Sequence, residues 1–246
     1  MNQEAMNNMQ KKIMVIHQPV FFPTLKVLNK IVSGDEFIVL DNVQFVRNDV
    51  HNRIKIRNFS NPNDTFWITA SVKKGSSRKR NNEIEFYSYK DFSDRFRKVV
   101  YMTYFKSPYY YFIEEYLDKC FSKKYIKLND FNTHCLFTLF QMLNIEVIYR
   151  FAGSTCLEAG YTGDDRLIAL TKHYNATSYL SGSGGKNYID PKKFTTNGIE
   201  LLWHQWEEPE NSTGIDWYEV SFIDYIARQG SGALGKYISQ KRILPT

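Results

Sequence analysis

Three short stretches of this 246-residue chain carry side chains able to do chemistry, and each follows an apolar run that stops abruptly. His17-Gln18-Pro19 ends the run Ile13 to Ile16, and Asp41-Asn42-Val43-Gln44 ends the run Phe37 to Leu40, with Arg47, Asn52 and Arg53 soon after. The third, Ser181-Gly182-Ser183-Gly184-Gly185-Lys186-Asn187-Tyr188, follows Thr177 to Leu180. Imidazole titrates near neutral pH, so His17 is the candidate general base, a contribution of roughly 10²–10⁴-fold. Asp41 could fix the tautomer of that ring and raise its basicity. Gln18, Asn42 and Gln44, with Asn52, could hold a carbonyl oxygen or hydroxyls of a bound substrate.

Arg47, Arg53 and Lys186 supply positive charge for a phosphate. The Ser181–Gly185 turn offers backbone N–H groups and hydroxyls with no bulky side chain, as phosphate cradles do, and Tyr188 closes it. Its spacing is neither that of a P-loop nor G-x-G-x-x-G. Bland readings stand beside these: a hydrogen-bonded turn histidine, prolines as loop punctuation, and a flexible Ser-Gly turn. No Cys/His spacing suggests a metal site.

To meet, these residues need a scaffold. Leu25, Leu28, Ile31 and Val32 recur at helical spacing between the first two apolar runs. That pattern predicts strand, crossover helix and parallel strand, which leaves both polar clusters on one carboxyl edge of an open sheet. Strands are predicted to begin near Ile13, Phe37, Ile145 and Thr177, with another at Gly198 to Trp203 ending in His204, the nearest competitor to His17. The fold class expected is α/β, a Rossmann-like and mainly parallel sheet flanked by helices. Residues 92–143 read as a helical insertion, broken at Pro108 and restarting at Asn129-Asp130. His51 to Val72 reads as a hairpin whose basic strand carries Arg53, Lys55 and Arg57 on one face. The basic stretch 73–82 is either a solvated loop or a lid over an anionic substrate. Ser221 is placed as an N-cap with Asp224 as its capping-box acid, and the tail as short and polar.

Composition narrows the class. An apolar fraction of 43% supports a packed core, and the chain is read as a single domain over 11–246 behind a disordered leader, 1–10. A net charge of +6 points to an anionic partner, although Lys73-Lys74 and Arg78-Lys79-Arg80 concentrate much of it. No RNA-recognition signature or zinc-finger spacing accompanies that cluster, so DNA is not an expected partner. Three cysteines without paired spacing, no signal peptide and no apolar run of membrane length lead to the expectation of a soluble, cytoplasmic protein. Oligomeric state is left open.

The combination of His17-Gln18-Pro19 with Phe22-Pro23, Leu40-Asp41-Asn42-Val43-Gln44, His51-Asn52-Arg53, Tyr179-Leu180-Ser181-Gly182 with Gly184-Gly185, and Ser221-Phe222-Ile223-Asp224 resembles the WbqC-like protein family. Thr24 stands where an aromatic often follows the Phe-Pro pair, and Arg47 where Lys is common. Members are associated with gene clusters for bacterial O-antigen and other surface polysaccharides, so the resemblance implies work on an activated sugar. The opening quarter, through Asn42-Val43-Gln44-Phe45, is also similar to pantothenate synthetases, which join a carboxylate to an amine through an acyl adenylate. It lacks their paired histidines.

The expected activity is transfer of an acyl or aminoacyl (for example glycyl) group to the amino group of a nucleotide-linked sugar. The donor is left open among a thioester, an acyl adenylate and an aminoacyl-tRNA, and no other cofactor is expected. A non-enzymatic nucleotide-sugar-binding or scaffold protein is the alternative from another class, and would explain the lack of a complete triad. A glycosyltransferase is the third reading, weakened by the absence of a D-x-D motif.

Overall fold

Four- and five-residue apolar runs can be buried on both faces only within a sheet covered by helices on each side, and this is what the chain builds. The structure, a computed structural model, describes residues 11–155, 157, 161–210 and 216–245. The expected leader, 1–10, lies outside the described residues. In chain order the strands are β1 (Ile13–His17), β2 (Glu36–Val39), β3 (Arg53–Arg57), β4 (Thr65–Thr69), β5 (Tyr149–Phe151), β6 (Ser178–Ser181), β7 (Glu200–His204) and β8 (Ile243–Pro245). The α-helices are α1 (Leu25–Ser33), α2 (Tyr89–Tyr104), α3 (Tyr110–Cys120), α4 (Leu128–Met142), α5 (Gly163–His173), α6 (Pro191–Thr196), α7 (Phe222–Gln229) and α8 (Ser231–Ile238).

Six strands form one sheet in the order β5-β2-β1-β6-β7-β8, parallel except for β8, while β3 and β4 form a separate antiparallel hairpin. The mainly parallel α/β sheet read from the sequence is therefore the fold. Alternate side chains enter opposite layers. Val15, Phe37, Val39, Leu180 and Leu202 join the larger core with α1, α2 to α4, α7, α8 and the hairpin. Met14, Ile16, Ile38, Tyr179, Leu201 and Trp203 face the smaller core with Ile168 of α5 and Phe194 of α6. The crossovers after β1 and β5 thus lie on opposite faces. Strand order reverses direction between β1 and β6, and their carboxyl ends diverge into a crevice there.

The loop leaving β1 is clamped rather than loose. Phe21 and Phe22 are fully buried, Phe22 stacks on Phe96 at 4.5 Å, and Phe22 holds a left-handed φ of 42° that a bulky residue rarely adopts. Phe21 N–H donates to Val50 O at 2.9 Å, so the loop around 50 braces the strand end carrying His17.

Several local expectations are corrected. The strand expected at Ile145 starts at Tyr149, the residue that registers with Phe37 of β2. The polar tail pairs as β8 against β7. Ser221 caps α7, its hydroxyl accepting from Ile223 N–H at 3.3 Å, yet Asp224 is no capping-box acid. Ser221 N–H donates instead to Lys55 O, and the Asp224 carboxylate lies buried between Arg57 at 3.4 Å and Arg228 at 3.3 Å. Stretch 73–82 is not a free lid. Phe45 N–H donates to Lys79 O, while Asn81 and Asn82 N–H donate to Val43 O and Asp41 O, strapping the basic stretch to the loop after β2.

Candidate functional site

At the β1–β6 reversal lies a cavity of about 460 Å³. The end of β1 contributes His17 and Gln18, the end of β6 contributes Ser181 to Gly185, and Tyr188 stands at the rim. These predicted residues come together. With them come five the sequence reading did not place there: Lys26 and Lys30 of α1, His51, Trp206 and Tyr218; His204, ranked only as a competitor, lines the same wall. Among the described lining residues Asp49 is the only carboxylate.

The hydrogen-bond partners fix the tautomers. His17 Nδ1 is 2.9 Å from Gln18 O, and a carbonyl can only accept, so Nδ1 carries the proton and Nε2 is bare. His51 Nδ1 meets Pro19 O at 3.0 Å with the same consequence. Asn29 donates through Nδ2 to Ile238 O and Gln240 O, leaving Oδ1 to accept from His204 Nε2 at 2.7 Å. Burial holds all three imidazoles neutral. It lowers His17 to about 3, with help from the charge of Lys30, lowers His204 to about 4, and lowers His51 as well. His17 remains partly accessible from the cavity although protein surrounds it.

Lys30 is the unusual group. Its residue is 6% exposed, and among the described residues its ammonium reaches only the Ile16 carbonyl, at 3.5 Å. Burial lowers it from 10.5 to about 7, so the amine is partly unprotonated near neutral pH. The sequence hid this residue because a lysine in an amphipathic helix ordinarily reaches solvent. A usable signal was present: Lys26 and Lys30 are four apart on one flank of the helix that leaves the His17 loop. Lys26 also lines the cavity, its Nζ 3.3 Å from the centre of the Tyr218 ring. Tyr218 in turn meets Trp206 edge-on at 5.6 Å, an aromatic wall suited to a sugar face or a base.

Asp41 does not orient His17. Its carboxylate is buried and accepts from Gly153 N–H at 2.8 Å, because β5 and its following turn pack beside the end of β2. Asn52 is also taken up internally, donating to Ala70 O and accepting from Asn48 N–H, so it shapes the hairpin entry rather than a ligand site. Arg53 lies over Trp67 at 4.2 Å, Lys55 pairs with Glu219, and Arg57 is buried with Asp224, so the basic strand does not present a phosphate-binding face. Arg47 is exposed and lines neither cleft at the sheet edge. Lys186 lies over Trp203 at 5.6 Å, outside the cavity lining.

The Ser-Gly turn forms a short 3-10 helix over Ser183–Asn187, whose first N–H groups have no partner within it. Gly185 is required by packing: a Cβ there would run into Ser181 Oγ and come within 2.9 Å of Ile189 Cδ1. Gly184 meets nothing within 4 Å of such a Cβ, so its bareness leaves open cavity.

Asn42 and Gln44 line a second cleft, of about 790 Å³, which shares Gln18, Leu40, Leu167 and Tyr188 with the first. Among the described residues no group of three or more His, Cys, Asp or Glu could hold a metal ion, and no helix is long and apolar enough to cross a membrane.

The sequence model of the WbqC-like protein family matches residues 18–235. An uncharacterized protein of Mycobacterium tuberculosis, Rv1507c, is 24% identical over 199 residues, covering 80% of this chain and 83% of its own. No solved structure matches significantly.

Proposed function

The chain belongs to the WbqC-like protein family, and from that premise we propose that it transfers an acyl or aminoacyl group to the amino group of a nucleotide-linked sugar in surface-polysaccharide biosynthesis. The observation that carries this reading is Lys30, a buried amine in a cavity also lined by three neutral imidazoles, aromatics and a Ser-Gly turn. A sugar amine reaching the cavity attacks the donor carbonyl. The C–N bond forms as the bond to the donor's leaving group breaks, and the leaving group takes the electron pair. The proton released from nitrogen goes to Lys30, whose pKa of about 7 sits near working pH, as an effective general base requires.

His17 has another part. At about 3 it is too weak a base to hold that proton, and its bare Nε2 instead accepts a hydrogen bond that orients the amine or a sugar hydroxyl. Trp206 and Tyr218 offer a stacking surface, and the Ser181–Gly185 backbone suits a phosphate. The test is mass spectrometry of reactions containing a nucleotide-linked amino sugar and, in turn, a thioester, an acyl adenylate and an aminoacyl-tRNA. An N-acylated sugar product that disappears with Lys30→Met supports the reading. Sugar binding without any product would select the non-enzymatic alternative.

A further inference from the structure

Two of the imidazoles in the His17 cavity are presented alike. His17 Nδ1 donates to Gln18 O at 2.9 Å and His51 Nδ1 to Pro19 O at 3.0 Å, so successive carbonyls of one loop fix both rings in the same tautomer. That loop is held from several sides. Phe21 and Phe22 are buried just beyond it, Phe21 N–H donates to Val50 O next to His51, and His51 O accepts from Asn132 Nδ2 at 2.9 Å. Each ring keeps a bare Nε2 with no protein partner among the described residues, and both rings line the cavity. They are near enough for charge on His51 to depress the basicity of His17. A neutral imidazole whose proton sits on Nδ1 can only accept at Nε2. His204 is turned the other way: Asn29 takes its Nε2–H, and the nitrogen left bare is Nδ1, nearest its own main chain.

We propose that His17 and His51 form a two-acceptor clamp that makes the cavity specific for a primary amine, with His51 a specificity-determining residue beside His17. A pair of bare acceptors asks its ligand for two donors. A primary amine supplies two N–H bonds, and with both held its lone pair is free for the donor carbonyl. A hydroxyl or a secondary amine supplies one, and strands the other imidazole nitrogen in a site that water reaches poorly. The amide formed on transfer keeps one N–H, so one bond of the pair is lost with the proton that leaves for Lys30, and the product is held less tightly than the amine. The inference rests on the transfer reading for what the bound amine does next. The preference for amine over hydroxyl belongs to the two rings alone.

Calorimetry on the full chain at pH 8.5 tests it, where Lys30 is neutral and a sugar amine, ionising at roughly 8 as an α-amino group does, is mostly neutral too. The probes are two matched pairs: UDP-linked sugars bearing an amine or a hydroxyl at carbon 2, and dTDP-linked sugars bearing either at carbon 4. The amine of at least one pair should bind about 10- to 100-fold tighter than its hydroxyl twin, and its N-methyl derivative should fall to the hydroxyl level. His51→Asn retains a donor for Pro19 O and deletes the Nε2 acceptor. It should weaken the amine about 10-fold and leave the hydroxyl sugar unchanged, and His17→Asn should do the same, with folding checked by circular dichroism. If either variant unfolds, the wild-type comparison of amine, N-methylamine and hydroxyl still decides. Neither pair binding, equal affinity for amine and hydroxyl, an N-methylamine held as tightly as the primary amine, or a folded His51→Asn protein with the wild-type preference overturns the proposal. An amine bound selectively but acylated by no donor upholds the clamp and rejects the transfer reading. An N-acylated product from a protein that binds amine and hydroxyl alike rejects the clamp and leaves the transfer reading standing.

Discussion

Replacing Lys30 by Met keeps much of the side chain's length and removes an ammonium that water scarcely reaches. In the unfolded chain this amine titrates at its ordinary 10.5, and in the folded chain burial lowers it to about 7. The unfolded state therefore binds the extra proton between those values, and folding stability rises with pH across the window. Below about pH 7 the penalty is fully present. At 1.36 kcal/mol per unit, the shift from 10.5 to about 7 sets a ceiling of about 5 kcal/mol. Lys30→Met should consequently be more stable than the wild type at pH 6, by up to that amount, which for a chain of this size is roughly 10–20 °C in melting temperature. The advantage should shrink steadily toward pH 10, where the wild-type amine is neutral in the folded state. Urea denaturation at pH 6, 8 and 10 measures the difference directly. A stability difference independent of pH, or a Lys30→Met protein weaker than the wild type at pH 6, would refute the argument that a protonated amine is desolvated here.

Other perturbations read different parts of the same architecture. Turnover should rise with pH through about 7 as Lys30 loses its proton, and His17→Asn should lower turnover without moving that midpoint; a midpoint that shifts with His17 would return the base to the imidazole. Gly185→Ala should lower stability by about 1–3 kcal/mol in urea, because its Cβ collides with Ser181 and Ile189, while Gly184→Val should melt as the wild type does. Asp224→Ala should cost about 3–5 kcal/mol by leaving Arg57 and Arg228 buried without their carboxylate, and a loss below about 1 kcal/mol would show that water reaches the pair.

Much of the frame was legible because it is written in local pattern. The runs Ile13–Ile16 and Phe37–Val39, the amphipathic helix between them and the break at Pro108 each reflect a period or a steric rule that acts within a few residues. What escaped depends on partners far along the chain. Asp41 and Gly153 are separated by 112 positions, Asn29 and His204 by 175, and neither contact has a local signature. Asp224 fits the capping-box spacing, yet burial beside Arg57 and Arg228 offers its carboxylate two charges instead of one N–H. Tertiary electrostatics outcompeted a local motif there.

The same distinction explains why the site could be located more readily than its chemistry could be assigned. An open parallel sheet forces a crevice wherever strand order reverses, so the ends of β1 and β6 had to meet once both strands were recognised. Proton affinity has no such topological rule. His17 at a strand end invites a reading as a base, and a carboxylate at Asp41 would have strengthened it. With Asp41 turned to Gly153 and Lys30 buried nearby, the ring lacks the anion that would raise its pKa and faces a cation that lowers it. The basicity is displaced from the imidazole onto the lysine, because an alkylamine starting at 10.5 reaches the neutral range when desolvated and an imidazole starting at 6.5 falls below it. Burial therefore selects the stronger base as the group poised to exchange a proton, and it does so at a helix position where the sequence shows only a lysine that could have been solvated.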